Sequence, residues 1–222
     1  MPKAVIFDVD GTLVDSVDLH AASWQEAFRD FGHDFPFPTI RSQIGKGGDQ
    51  LMPVFLPQQE LDRRGADLEK HRGALFKEKY LPKVTGFPGV RDLFLKLQQN
   101  RTIIALASSA KGDELETYKR VAGIQDLVDT NTSSDDAENS KPYPDIFQAA
   151  LHRLDGVEPR DAIVVGDTPY DAVAARKAGM RTIGLLCGGF AEADLREAGC
   201  IAIYRDPADL LRNYESSPLA NP

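Results

Sequence analysis

Phe7-Asp8-Val9-Asp10-Gly11-Thr12-Leu13-Val14-Asp15-Ser16 follows directly on the apolar run Ala4-Val5-Ile6, and the reading of the whole chain turns on that junction. Lys3–Val9 (KAVIFDV) is short, apolar on both alternating faces, and ends in acid and glycine, the pattern of a buried parallel strand. Two carboxylates at i and i+2 on a strand project to the same side. Burying two like charges is costly unless a cation or hydrogen bonds compensate. Gly11 lets the chain turn sharply straight after the strand, and Thr12 offers a hydroxyl and a backbone amide to a phosphate. Taken alone, the same residues also describe a strand end followed by an ordinary Asp-Gly turn.

The apolar run recurs. Thr102–Ala107 (TIIALA), Ala162–Gly166 (AIVVG), Thr182–Leu186 (TIGLL) and Ile201–Tyr204 read as further strands, with helical patterns at Val90–Gln99, Asp113–Ala122, Pro144–Leu154, Tyr170–Ala178 and Ala191–Ala198. Strands alternating with helices predict an α/β fold with a parallel sheet covered on both faces. Ligands of such sheets bind at the loops leaving the C-terminal strand ends. Residues 16–85 break the rhythm. Val17–Phe31 places Ala21, Trp24, Ala27, Phe28 and Phe31 on one helix face, Glu60–Tyr80 is a charged helical stretch weakened by Gly65 and Gly73, and no strand is evident. The expectation is a small helical domain, residues 16–85, inserted into a core of residues 1–15 and 86–222, with Gly86, Pro88 and Gly89 punctuating the return. The tail Glu215–Pro222 is expected to fray.

Each later strand end brings a polar group. Ser108 and Ser109 follow Thr102–Ala107; a hydroxyl there, with the following amides, can hold phosphate oxygens or cap the helix that starts near Gly112. Lys141 stands before the rigid Pro142 and Pro144, where a solvated lysine is common but a first-turn cation opposes the helix dipole. Gly166-Asp167 ends another strand, and Asp171 lies one helical turn further on. Hard oxygen ligands of that kind suit magnesium, although an N-cap Asp with a first-turn Asp is also ordinary. In a parallel sheet these ends share one edge, so Asp8, Asp10, Ser108, Lys141, Asp167 and Asp171 can converge.

Composition bounds the rest. Hydrophobic residues at 42% and charged residues at 27% allow an ordinary globular core without staples. A formal charge of −8 with no long basic run argues against a nucleic-acid binder, and any anion site must supply its own local positive device. Cys187 and Cys200 lack metal-ligand spacing and are expected to be reduced thiols of a cytoplasmic protein. The first apolar run is broken by Asp8 and Asp10, so neither a signal peptide nor a membrane span is expected there. A monomer is the default.

With these residues in view, the sequence resembles the haloacid dehalogenase (HAD) superfamily over nearly its whole length. FDVDGTLVDS is similar to that family's first motif, ALASSA to its second, KPYPDIF to its third and VVGDTPYDAVAARKAGM to its fourth. The resemblance implies a Rossmann-like core and a helical cap placed directly after the first motif. It implies that Asp8 is a nucleophile forming an aspartyl-phosphate and that Asp10 is the general acid/base, its backbone carbonyl also ligating magnesium. Ser108 and Lys141 would then bind the transferring phosphoryl group, Asp167 would ligate Mg2+, and Asp171 would ligate it or support its ligands. Chemistry agrees. A carboxylate is ionised at neutral pH and attacks without its own base, while the cation and Lys141 offset its repulsion from phosphate. To protonate a leaving alkoxide, Asp10 needs a raised pKa at the start.

Asp10 itself points to phosphate esters, because the dehalogenating and phosphonate-cleaving members resemble each other in lacking that second acid. His20 sits where the β-phosphoglucomutase-like branch has a histidine at the cap entry, and Lys46, within Gly45-Lys46-Gly47-Gly48-Asp49-Gln50, is placed to read a second polar or anionic group of the substrate. The fourth motif, Gly-Asp-Thr-Pro-Tyr-Asp, departs from the adjacent Glu and Asp of the mutase. The expectation is a magnesium-dependent phosphatase for a small phosphorylated metabolite, a sugar phosphate or a phosphoglycolate-like compound. A phosphomutase is the alternative, and a non-catalytic relative that binds phosphorylated ligands is the alternative from another class. Tyr143 and Tyr170 are expected to pack, and Trp24 to lie in the core of the insert.

Overall fold

The computed structural model describes residues 1–221. The strands are β1 (Ala4–Phe7), β2 (Val14–Asp15), β3 (Thr85–Gly86), β4 (Ile103–Ala107), β5 (Thr130–Thr132), β6 (Ala162–Gly166), β7 (Arg181–Leu185) and β8 (Ala202–Tyr204). Six of them form one sheet in the order β5-β4-β1-β6-β7-β8, with every neighbouring pair parallel. The chain therefore builds outward from β1 in one direction and then crosses back over it to build in the other. That reversal opens a crevice at the C-terminal end of β1, where ligands of such sheets bind.

Alternation along β1 explains both layers, since successive side chains leave a strand on opposite faces. Val5 and Phe7 join one buried cluster with Phe94, Leu97, Leu115 and Tyr118, from α6 (Val90–Gln99) and α7 (Gly112–Val121). Ala4 and Ile6 join another with Phe147, Ala150, Ala174 and Ala175, from α8 (Asp145–His152) and α9 (Pro169–Lys177). α10 (Glu192–Ala198) and α11 (Pro207–Arg212) complete the layers. β1, β4, β6, β7 and β8 match their predicted runs closely. β5 is a short polar edge strand, Thr-Asn-Thr, and carries no apolar signal to read.

Between β2 and β3, which pair antiparallel through Val14–Gly86 and Asp15–Thr85, the chain is helical. Its elements are α1 (Val17–Asp30), α2 (Phe37–Arg41), α3 (Gly48–Phe55), α4 (Gln58–Glu60) and α5 (Ala66–Leu75). Two π-helical turns, Leu61–Gly65 and Phe76–Tyr80, flank α5, so the long charged stretch stays helical despite its glycines. Ala21, Trp24, Ala27 and Phe28 of α1 bury with Ile40, Leu51 and Leu68 in a cluster of their own. Each large side chain so buried contributes about 1.5–3 kcal/mol. Phe76, Tyr80, Leu81 and Val84 belong instead to the cluster that reaches the sheet, which seats the insert on the core.

The tail does not fray as expected. Tyr214, Ser217 and Leu219 are buried, Tyr214 and Leu219 within the α6 cluster, and Lys96 pairs with Glu215 at 2.7 Å. Apolar anchoring thus overrides terminal position. Pro222 lies outside the described residues. Among the described residues, no helix is long and apolar enough to cross a membrane.

Candidate active site

Asp8, Lys141, Asp167 and Asp171 meet below the crevice, all of them buried. β1 delivers Asp8, β6 delivers Asp167, and the first turn of α9 delivers Asp171. The Lys141 ammonium is paired with Asp8 Oδ1 and lies 2.8 Å from Asp171 Oδ1. Burial by itself would pull that ammonium down, but Asp171 and Asp8 outweigh it and hold Lys141 above the ordinary lysine value. Asp8 is pushed up by burial, with Lys141 opposing the rise and Asp171 adding to it. Asp167 rises well above the carboxylate range through burial and the charges of Asp8 and Asp171. One lysine does not neutralise so many carboxylates.

The surplus charge points to a cation. Oxygens of Asp8, Asp167 and Asp171 lie within 4.8 Å of one another, and Asp167 Oδ2 is buried without a hydrogen-bond partner. Thr12 Oγ1 lies 3.0 Å from Asp8 Oδ2 and 2.9 Å from Asp167 Oδ1, yet a hydroxyl has one proton and both neighbours accept. A divalent ion against Asp8 and Asp167 answers both deficits, and an all-carboxylate donor set suits a hard ion. Gly11 turns at φ +81°, and a Cβ there would fall 2.4 Å from Asp167 Oδ2, so only glycine leaves that oxygen its space. Asp171 is less free. Its Oδ2 accepts from the Thr168 amide at 3.0 Å and the Thr168 hydroxyl at 2.7 Å in a capping box, while Oδ1 faces Lys141. The capping reading and the site reading of Asp171 hold together.

Asp10 turns away from this cluster. Its Oδ1 accepts from Ser16 Oγ at 2.6 Å and from His20 Nε2 at 2.8 Å. The Arg72 guanidinium donates to His20 Nδ1. An arginine can only donate, so Nδ1 is the acceptor and the Nε2–H of a neutral imidazole serves Asp10. His20 lies flat on Phe76, ring centroids 4.0 Å apart, and burial with Arg72 holds it below the ordinary histidine value against the pull of Asp10. Burial pushes Asp10 up, but the contacts of His20, Ser16 and Tyr118 outweigh burial and leave it below the usual carboxylate range. The raised Asp10 required at the start of an acid step is therefore not the resting condition.

The remaining sequence candidates are spread around the crevice. Ser108 is buried, and its Oγ accepts the Ala110 amide at 3.0 Å. It does not cap α7, which begins after Lys111 without a side-chain cap. Ser109 lines the cavity, and so does Lys46. The Lys46 ammonium donates to Gln43 Oε1 at 2.6 Å and stands 4.8 Å over the Tyr170 ring. Thr12 has its hydroxyl on the two carboxylates and its amide on the Val9 carbonyl at 3.2 Å, so it braces Asp8 and Asp167 and has no free donor for phosphate. Tyr170 donates to the Ser42 carbonyl at 2.8 Å and so ties α9 to the insert. Tyr143 is 44% exposed and does not pack as expected. Trp24 lies in the insert's core. Sequence reasoning missed Arg72, Tyr118 and Ser16. Only Tyr118 carried a usable signal, sharing a helix face with Leu115.

Over these groups lies a cavity of about 780 Å³, walled by both the sheet edge and the insert, with Asp8, Asp10, His20, Lys46, Arg72 and Lys141 in its lining. Fold and site together define a doubly wound α/β enzyme that works with carboxylates and a cation at its strand ends. The chain belongs to the haloacid dehalogenase-like hydrolase family, whose pattern matches residues 5–185. It is 29% identical over 196 residues to the validoxylamine A 7'-phosphate phosphatase of Streptomyces hygroscopicus subsp. limoneus, covering 87% of this chain and 90% of that protein. It is 29% identical over 206 residues to the phosphoglycolate phosphatase of Nitrosospira multiformis, covering 90% of each. Among solved structures, a hydrolase from Pseudomonas syringae superposes with a TM-score of 0.89 at 28% identity, over 97% of this chain and 99% of that one.

Proposed function

We propose that the protein is a magnesium-dependent phosphatase that hydrolyses a small phosphorylated metabolite through an aspartyl-phosphate on Asp8. The observation that carries this reading is Asp167 Oδ2, a buried carboxylate oxygen without a partner, beside an Asp8 that Lys141 grips from the other side. Asp8, Asp167 and the Asp10 carbonyl would hold magnesium, which when bound supplies charge neutralisation to the phosphoryl oxygens and relieves the carboxylates. Lys141 and the Ser108 hydroxyl hold the phosphoryl group against Asp8. Asp8 attacks phosphorus, the ester P–O bond breaks, and Asp10 gives its proton to the leaving alkoxide. Water then attacks the aspartyl-phosphate, Asp10 takes the water's proton, and phosphate leaves with Asp8 restored. His20 orients Asp10, and Asp171 holds Lys141.

We take residues 16–85 as a cap that closes over the site, and Lys46 as a reader of the substrate's far end. A cavity of about 780 Å³ has room for a sugar phosphate as well as for a compound as small as phosphoglycolate, and the relatives named for phosphorylated substrates support that range. The test is hydrolysis of p-nitrophenyl phosphate with magnesium and with EDTA, followed by a panel of metabolite phosphates including glucose 1-phosphate with a bisphosphate activator. Magnesium-dependent release of phosphate is expected. Transfer to a second sugar hydroxyl in place of release would make the protein a mutase, and inactivity on every ester would sink the reading.

A further inference from the structure

Lys141 sits in a segment that is held from two directions. On the core side, Asp145 of α8 accepts the Asn139 amide at 2.8 Å and the Asn139 side chain at 3.0 Å, and Lys177 of α9 donates to the Pro142 carbonyl at 2.8 Å. On the insert side, Asp49 in the first turn of α3 accepts the Ser140 amide at 3.1 Å and also the Ser140 hydroxyl. The Gly47 amide donates back to Ser140 Oγ at 2.9 Å. A Cβ on Gly47 would lie 2.7 Å from Ser140 Cβ and Oγ, so the Gly47 backbone comes this close to the Ser140 side chain only because residue 47 is glycine.

These ties differ in what holds them. Asn139 and Pro142 are fixed by elements of the core itself, and the Ser140 carbonyl accepts the Tyr143 amide at 3.1 Å, whereas the bonds on the Ser140 amide and hydroxyl come from the insert. Asp49 is exposed and Ser140 half-buried, so water competes for their bonds and each is weak alone. Contacts of that strength can open and re-form. Lys141 and Asp171 are buried as a pair and cannot exchange partners with water so readily. Ser140 immediately precedes Lys141, so whatever fixes the Ser140 backbone fixes the root of the lysine side chain.

We propose that Asp49 is a positioning residue: by clasping Ser140 when the insert lies against the sheet, it couples closure of the insert to the placement of the Lys141 ammonium beside Asp8. The proposal rests on the reading of Asp8 as the reacting carboxylate. It accounts for three hydrogen bonds converging on one half-buried loop residue, Ser140.

The test uses the full chain with magnesium and p-nitrophenyl phosphate, comparing wild type with Asp49→Ala, Asp49→Asn, Ser140→Ala and the double alanine variant. Asp49→Ala should lower kcat by about tenfold with little change in KM, the pattern for a group that acts on the transition state. Asp49→Asn keeps an acceptor for Ser140 and should recover part of the loss. The double variant should be no slower than Asp49→Ala, because both changes break one clasp. Amide exchange at Ser140, read by hydrogen–deuterium exchange without substrate, should rise about tenfold in Asp49→Ala. An unchanged kcat, a loss confined to KM, an Asp49→Asn no better than alanine, or additive losses in the double variant would each overturn the proposal. If wild type hydrolyses no ester, the reading of Asp8 fails, and exchange at Ser140 then decides the clasp alone: raised exchange upholds it and unchanged exchange overturns it.

Discussion

Asp8→Asn removes one of the carboxylates crowded at the strand ends while keeping the shape of the side chain. Burial, with Asp171 and Asp10 adding to it and Lys141 opposing, raises the Asp8 carboxyl from 3.8 to about 7. The folded state therefore binds this proton more tightly than the unfolded chain does. On that account the metal-free protein loses stability as pH rises from about 4 to about 7, and it carries the whole penalty above that window. The displacement is worth about 4 kcal/mol. That figure is already net of the pull of Lys141, so the loss of its charge-assisted bond in the variant is counted within it. The expectation is a variant more stable by up to about 4 kcal/mol at pH 8 without divalent cation, equivalent to roughly 8–16 °C in unfolding midpoint. At pH 5 the gain should fall to about 1–2 kcal/mol, since folded wild-type Asp8 keeps its proton there while the unfolded chain has largely lost its own. Thermal unfolding of EDTA-treated protein at both pH values measures this, with turnover as a second readout expected to be lost. Excess magnesium should narrow the gap by stabilising wild type through occupancy of the site. A variant less stable than wild type at pH 8 in EDTA, or a difference indifferent to pH, would show that the carboxylate cluster is not under electrostatic strain.

Other substitutions separate the parts of the site. Lys141→Met should cost about 3–5 kcal/mol of stability at neutral pH, and less at pH 5; denaturant titration at the two values reads both. Asp167→Asn should raise the magnesium concentration for half-maximal activity by about tenfold or more, with the fold intact by circular dichroism, and an unchanged magnesium dependence would remove Asp167 from the ion. Arg72→Met should let His20 titrate closer to the ordinary histidine value, because Arg72 is one of the groups holding it down; the imidazole Cε1–H resonance followed against pH would show it, and an unmoved titration would mean that burial alone sets the value.

How much of this was legible in the sequence depended on whether the signal was local. β1, β4, β6 and β7 are buried on both faces, so continuous apolar runs announced them, and the acids after β1 and β6 fell where chain reversal at a strand end places ligands. β5 pairs only at the sheet edge with Thr-Asn-Thr, and nothing in its composition distinguishes it from a loop. Asp8, Lys141, Asp167 and Asp171 could be foreseen as a group because strand order brings them to one rim. The neighbours that set their properties could not. Arg72 is one basic residue among many on a charged helix, and its bond to His20 exists only because α5 folds back over α1. Thr12 was misjudged for a similar reason: its hydroxyl is free in sequence but lies between Asp8 and Asp167 once β6 stands beside β1.

Asp10 shows most directly what the arrangement demands. Its contacts with His20, Ser16 and Tyr118 favour the carboxylate, which suits the later step, in which it must take a proton from water, and works against the earlier one, in which it must give a proton to an alkoxide. A phosphate arriving in the cavity brings negative charge close to Asp10 and so raises its affinity for a proton. The first half-reaction should therefore weaken as pH rises and the second should not. Leaving groups of different basicity expose the difference. An alkyl phosphate needs the proton, whereas p-nitrophenolate departs without one. On raising the pH from 6 to 9, kcat/KM for an alkyl phosphate should fall about tenfold more than kcat/KM for p-nitrophenyl phosphate, and Asp10→Asn should slow the alkyl ester far more than the aryl ester. Parallel pH profiles for the two esters would mean that the proton reaches the leaving group by another route, and that the hydrogen bonds from Ser16 and His20 do no more than hold Asp10 in place.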